Sequence, residues 1–200
     1  MSPKIVVFDL GKVLVDFDYV IGARKIAARS TKQLADLHDF IGNSTILERF
    51  ESGLLTRRQF FDEVRDVTGF SGGLDEFVGY FADIFLPIPA MIDLHAELRR
   101  LKIPTYIFSN TNDIAIEHIR RNFPFFKNFD GYIFSYEVGA MKPETKIYAA
   151  LEQLTGRHDG EIIYIDDRPE NIATGAALGW RAILHESPEK TRRALKHFGF

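Results

Sequence analysis

Five short apolar runs punctuate the chain: Ile5–Phe8, Thr105–Phe108, Tyr132–Phe134, Ile162–Ile165 and Ala182–Leu184. They show little polar alternation, the pattern of parallel strands covered on both faces. Between the later runs the apolar positions recur at helical spacing. Met91, Leu94, Leu98 and Leu101 precede the second run, Ile147, Leu151 and Leu154 precede the fourth, and Ala173–Leu178 forms a small-residue helix before the fifth. This alternation implies right-handed crossovers and an α/β, Rossmann-like parallel sheet with helices on both faces.

The stretch from about Asp16 to Pro87 reads differently, because it holds no convincing strand. Its apolar residues keep a helical period: Leu34, Leu37 and Ile41, then Phe60, Val64 and Val67, then Phe77, Phe81 and Phe85. Thr45 with Glu48, and Thr56 with Gln59, match the capping box, and Pro87 and Pro89 close the segment. The pattern predicts an all-helical domain over residues 16–87, inserted into a core made of residues 1–15 and 88–200. Nine of the eighteen phenylalanines lie in it, which suits the hydrophobic centre of a small bundle better than a ligand cage. Phe123, Phe125, Phe126 and Phe129 form a second aromatic group, read as core packing rather than as an exposed patch.

Composition narrows the classes. At 46% apolar and 26% charged residues the chain is an ordinary globular sequence. A net charge of −3 with mixed signs leaves no footprint for nucleic acid or an anionic membrane. No cysteine is present, so disulfides and thiolate metal sites are excluded. No apolar run reaches the ~18 residues of a membrane span, and Asp9 breaks the first run too early for a signal peptide. A cytoplasmic location is the expectation. The six histidines form no spaced pair of the kind a zinc site uses. Asn43-Ser44-Thr45 matches a glycosylation acceptor, irrelevant in the cytoplasm. Nothing specifies an oligomer.

The chemistry gathers at strand ends, where ligands sit in open parallel sheets. Ile5–Phe8 runs straight into Asp9, and a carboxylate can attack phosphorus to give an aspartyl-phosphate. Ser109-Asn110-Thr111 follows the second strand and precedes a helical stretch, Asp113–Arg121; a hydroxyl with free amides there suits phosphoryl oxygens. Lys142 can offset the charge of a transferring group, and Pro143 is read as starting the next helix. Asp166-Asp167 ends the fourth strand, with Asn171 beyond. Adjacent carboxylates repel each other and are costly to desolvate, and a divalent cation is the simplest remedy. Mg²⁺ prefers few carboxylates and several waters, so Asp9 with one of this pair suffices, the other acting through water.

The order of these signals resembles the four motifs of the haloacid dehalogenase-like hydrolase superfamily, with a helical cap inserted after the first. The runs Phe8-Asp9-Leu10-Gly11-Lys12-Val13-Leu14-Val15-Asp16, Ser109-Asn110-Thr111-Asn112 and Met141-Lys142-Pro143-Glu144 are most similar to its bacterial α-D-glucose-1-phosphate phosphatase subgroup. That resemblance covers essentially the whole chain. It implies that Asp9 is the nucleophile and a Mg²⁺ ligand and that the Gly11 carbonyl is a second ligand. It also implies that Ser109 and the Asn110 amide hold the phosphoryl group, that Lys142 neutralises it, and that Asp166 and Asp167 complete the metal site, with Asp167 favoured as the direct ligand. The implied activity is Mg²⁺-dependent hydrolysis of a small phosphorylated metabolite, a sugar phosphate being one candidate.

One position departs from the pattern. Most phosphatases of the superfamily carry a second aspartate two residues after the nucleophile, which protonates the leaving group; here Gly11 stands there. General acid–base help is typically about 10²–10⁴-fold, roughly 3–5 kcal/mol of barrier. Asp16, Asp18 or a cap residue is left to substitute. Two other readings stay open: a 2-haloacid dehalogenase, which needs no metal and gains nothing from adjacent acids, and a catalytically weak phospho-ligand binder.

Overall fold

The first strand becomes the middle of the sheet. The computed structural model describes residues 2–31 and 45–200. In it β1 (Ile5–Phe8) pairs in parallel with β4 (Thr105–Ser109) on one side and β6 (Ile162–Asp166) on the other. β5 (Gly131–Phe134) and β7 (Arg181–Leu184) extend the sheet to the order β5-β4-β1-β6-β7, all parallel. The chain therefore builds outward from β1 in one direction and then returns to build in the other. Crossovers that diverge on either side of β1 leave a crevice at its carboxyl end.

Every residue of β1 and of β6 is buried, which is why both read as unbroken apolar runs. Successive side chains point to opposite faces. Val6 and Phe8 pack with Met91, Leu94 and Leu98 of α5 (Pro89–Arg100) and with Ile116 and Ile119 of α6 (Asp113–Asn122). Ile5 and Val7 pack with Ile147, Tyr148 and Leu151 of α8 (Thr145–Thr155), joined by Tyr164 and Trp180. After β6 comes α9 (Pro169–Ala177), and α10 (Pro188–His197) adds Leu195 to the α5 side. Among the described residues no helix is long and apolar enough to cross a membrane.

The insertion holds α1 (Tyr19–Ala27), α2 (Thr45–Glu51), α3 (Arg57–Thr68) and α4 (Leu74–Ala82). Their centre is aromatic: Phe50 stacks on Phe60 at 4.3 Å, and Phe60, Phe61, Phe70, Phe77 and Phe81 interlock around them. Burying each such ring stabilises by about 1.5–3 kcal/mol, so Phe60→Ala would break this core first. Asp18 caps α1 by accepting from the Val20 N–H, and Thr56 and Gln59 form the complete capping box of α3. Gly69 ends α3 at φ 67°, a left-handed cap that favours glycine.

Four expectations are corrected. The insertion is not free of strand: β2 (Val15–Phe17) and β3 (Phe85–Pro87) pair antiparallel where it leaves and rejoins the core. Three-residue strands are too short to show a period, and their pairing exists only once the two ends of the insertion meet. For the same reason Phe85 does not continue the helix of Phe77 and Phe81; α4 stops at Ala82, and Phe85 packs on Phe17 across the ribbon. Thr45 is the first residue of α2 rather than its cap, and Leu34, Leu37, Ile41, Asn43 and Ser44 lie outside the described residues. Pro143 does not start a helix. Glu144 is the N-cap of α8, and its carboxylate accepts from the Met141 N–H instead. The short helix α7 (Ser135–Val138) follows β5. Phe126 and Phe129 are buried, with Phe123 and Phe125 packed against the same core.

Candidate active site

Asp9, Gly11, Ser109, Asn110, Lys142 and Asp167 line one cavity of about 700 Å³ at the carboxyl ends of β1, β4 and β6. Asp166 lies beneath it, fully buried. The sheet edge makes the floor. Residues of the insertion, among them Tyr19, Glu48 and Glu51, close it from the other side.

Lys142 organises the floor. Its Nζ donates to Asp166 Oδ2 at 2.7 Å and to the Phe108 carbonyl at 2.8 Å, and lies 3.0 Å from Asp9 Oδ1. Its backbone is clamped by one side chain: Asn110 Oδ1 accepts from the Lys142 N–H at 2.7 Å, and Asn110 Nδ2 donates to the Lys142 carbonyl at 2.9 Å. This clamp fixes the lysine although no helix carries it. Burial works against the ammonium, but Asp9 and Asp166 outweigh it and raise the lysine above its ordinary value.

The carboxylates are crowded. Asp9, Asp166 and Asp167 offer oxygens within 4.8 Å of one another. Asp166 is already saturated: it accepts from Lys142, from Tyr164 Oη at 2.5 Å, from Asn171 Nδ2 at 3.0 and 3.2 Å, and from the Arg168 N–H at 2.8 Å. Asp9 is only partly committed, one oxygen accepting from the Leu10 N–H at 2.7 Å. Burial, with Asp166 and Asp167 adding to it, pushes Asp9 up to about 7 against the downward pull of Lys142. Burial and then Asp166 raise Asp167 as well. Three carboxylates outweigh Lys142 even with Arg168 drawing on Asp167, so the donor set is one that a cation would relieve. Asn171 Oδ1, buried at the same site, has no hydrogen-bond donor.

The loop expected to bind the phosphoryl group differs from a plain helix N-terminus. Ser109 is buried, its Oγ 3.3 Å from the Asn110 carbonyl. α6 begins only at Asp113, where Asn112 Oδ1 caps the Ala115 N–H. The Thr111 N–H is already committed to Ser135 Oγ at 2.9 Å, so the expected row of free amides shortens toward Asn110.

The residues around Gly11 answer part of the acid question. Asp16 is exposed and bound by Lys12 Nζ at 2.5 Å, which holds its carboxyl below the usual range; Asp18 is spent on the α1 cap. Neither lines the cavity. Gly11 itself has no left-handed φ; a Cβ there would lie 2.9 Å from the Phe17 ring. Sequence reading missed Glu51, Asn112, Ser135 and Arg168. Glu51, the last residue of α2, lines the cavity, and burial pushes its carboxyl up to about 7. The only local sign was a glutamate followed by Ser52-Gly53, a pattern with many uses.

A model of the haloacid dehalogenase-like hydrolases matches residues 3–179. The chain belongs to that family. It is 26% identical to a D-ribitol-5-phosphate phosphatase of Bacteroides thetaiotaomicron, over 96% of each chain. It is 27% identical to a pyrimidine 5′-nucleotidase of Escherichia coli, over 91% of this chain and 88% of that one. Among solved structures it resembles a family enzyme of Bacteroides thetaiotaomicron in complex with magnesium and inorganic phosphate, at 25% identity and a TM-score of 0.82, covering 92% of this chain and 94% of the other.

Proposed function

We propose that this hydrolase is a Mg²⁺-dependent phosphatase that removes phosphate from a small metabolite through an aspartyl-phosphate at Asp9. The observation that carries this is the placement of Asp9, facing the cavity between a buried lysine and two further carboxylates. Asp9, Asp167 and the Gly11 carbonyl would hold the ion, consistent with the surplus negative charge and with the unpaired Asn171 Oδ1. When bound, Mg²⁺ would keep Asp9 ionised and offset phosphoryl charge.

The chain's own residues supply the rest. Asp9 attacks phosphorus while Ser109 and the Asn110 amide hold the phosphoryl oxygens, and Lys142 stabilises their charge. Asp166 holds Lys142 in place from below. Water then attacks the aspartyl-phosphate and frees Asp9. The β2–β3 ribbon would serve as the hinge on which residues 16–87 act as a cap over core residues 1–15 and 88–200, and Arg57 as a clasp, its Nε donating to Asp113 at 3.0 Å and its Nη2 to Glu117 at 2.6 Å. Relatives named for a polyol phosphate and for nucleotides support a small substrate, and a sugar phosphate fits the same size.

The test is phosphate release with Mg²⁺ across a panel of sugar, polyol, nucleotide and acid phosphates, with Asp9→Asn as control. Turnover should appear with at least one member and vanish in the variant. Phosphate release from none of them, or a folded Asp9→Asn protein retaining more than a few per cent of activity, would sink the reading.

A further inference from the structure

We infer that Glu51 protonates the departing oxygen of the substrate, standing in for the carboxylate that Gly11 lacks. This rests on the phosphatase reading above. Four acids of the described residues line the cavity: Asp9, Asp167, Glu48 and Glu51. Asp9 is taken by attack and Asp167 sits with it in the acidic cluster on the floor. Displacement at phosphorus puts the leaving group opposite the nucleophile. With Asp9 and Asp167 set aside and no carboxylate at Gly11, the cavity acids left are Glu48 and Glu51, both from the insertion.

The two differ in how they are held. Glu48 is exposed. Glu51 is partly buried, and its backbone is tied to the core: its carbonyl accepts from Ser135 Oγ at 2.6 Å, and the same hydroxyl accepts from the Thr111 N–H beside Ser109. Its neighbour Phe50 is locked into the aromatic centre of the insertion. The backbone that carries the carboxyl is thus anchored to both the core and the insertion. The groups around it are Tyr19 from α1, Asn112 ahead of α6, Arg168 ahead of α9 and Asp9 after β1. Burial, with Asp9 adding to it, holds its proton up to about pH 7 against the pull of Asn112 and Arg168. A general acid works best with its pKa near the operating pH.

The step balances. As the Asp9 oxygen–phosphorus bond forms and the ester oxygen–phosphorus bond breaks, the Glu51 proton passes to the ester oxygen, and the alcohol leaves neutral. The Glu51 carboxylate then takes a proton from the water that attacks phosphorus, restoring the acid as phosphate and Asp9 are released.

The experiment compares wild type and Glu51→Gln on an alkyl phosphate and on p-nitrophenyl phosphate, whose leaving group needs no proton. Glu51→Gln should lose about 10²-fold or more in kcat/KM on the alkyl ester and only a few-fold on the aryl ester. Wild-type activity on the alkyl ester should fall as pH rises through about 7, and that limb should vanish in the variant. Glu51→Asp, which keeps an acid one methylene shorter, should lie between them; it carries the same selective test if the glutamine protein does not fold. Equal losses on both esters, or none on either, would overturn the assignment while leaving Asp9 chemistry intact. A wild type that hydrolyses neither ester, nor any member of the panel, would instead overturn the phosphatase reading and this inference with it.

Discussion

Lys142 Nζ donates to Asp166 Oδ2 at 2.7 Å, and neither side chain reaches solvent. The pair is therefore a buried ion pair that depends on both members. Removing one leaves an uncompensated charge, which typically costs about 3–5 kcal/mol. Asp166→Ala should show a loss of that order in chemical denaturation and should also lose turnover, because the lysine is no longer held beside Asp9. Asp166→Asn, which keeps the shape and most of the hydrogen bonds, should be less destabilised. Unchanged stability in the alanine protein would show that the lysine finds another partner.

Asp167 should behave in the opposite way. It is half-buried, and its carboxyl is raised by burial and by Asp166, so without metal it adds repulsion rather than support. Asp167→Ala should keep or slightly raise the metal-free melting temperature. It should also abolish the upward shift expected of Mg²⁺ in wild type through preferential binding to the folded state. Calorimetric titration should show Mg²⁺ affinity reduced by at least ~10-fold. A Mg²⁺ shift of normal size in the variant would remove Asp167 from the metal site.

Gly11 is constrained by a ring rather than by its backbone. A Cβ at this position meets Phe17 Cε1 at 2.9 Å, and Phe17 is itself packed between Tyr19 and Phe85. Gly11→Asp should therefore be destabilised by about 1–3 kcal/mol, as overpacked sites are. Adding Phe17→Ala should recover part of that loss in a double-mutant cycle. Additive losses would mean that the ring moves freely and that the glycine serves another purpose.

His95 sets a pH dependence of stability. It is 2% exposed, stacks on Phe129 at 3.9 Å and shares a 3.0 Å hydrogen bond with Thr105 Oγ1. Burial pulls its pKa down from 6.5 to about 4, with Arg99 adding to the effect. The unfolded chain thus takes up this proton at a higher pH than the folded protein does. Its contribution is complete above about pH 6.5 and is lost as pH falls toward about 4, a change of up to ~3 kcal/mol. His95→Gln should flatten stability across that window. An unchanged slope between wild type and variant would assign the acid sensitivity to other groups.

How much of this was legible in the chain differs by element. The five core strands were: burial on both faces makes β1 and β6 unbroken apolar runs, and the partly exposed edge strands β5 and β7 keep shorter ones. The acids at the ends of β1 and β6 were also legible, since a carboxylate abutting a buried strand is a local anomaly. The capping box of Thr56 and Gln59 is local too, its partners three residues apart. The β2–β3 ribbon was not, for it joins Asp16 to Leu86, and no window of sequence contains both. Nor was the division of labour within Asp166-Asp167. The two neighbours have the same chemistry, and only the folded protein surrounds one with Lys142, Tyr164 and Asn171 while turning the other to the cavity. Glu51 is the extreme case. By itself it is one glutamate at the end of a helix; its carboxyl is raised by burial and by Asp9 against the pull of Asn112 and Arg168, and the fold brings these three residues in from separate loops. Local pattern decided which elements form and which groups end them. Desolvation and charge pairing, which depend on distances across the fold, were decided only by the tertiary structure.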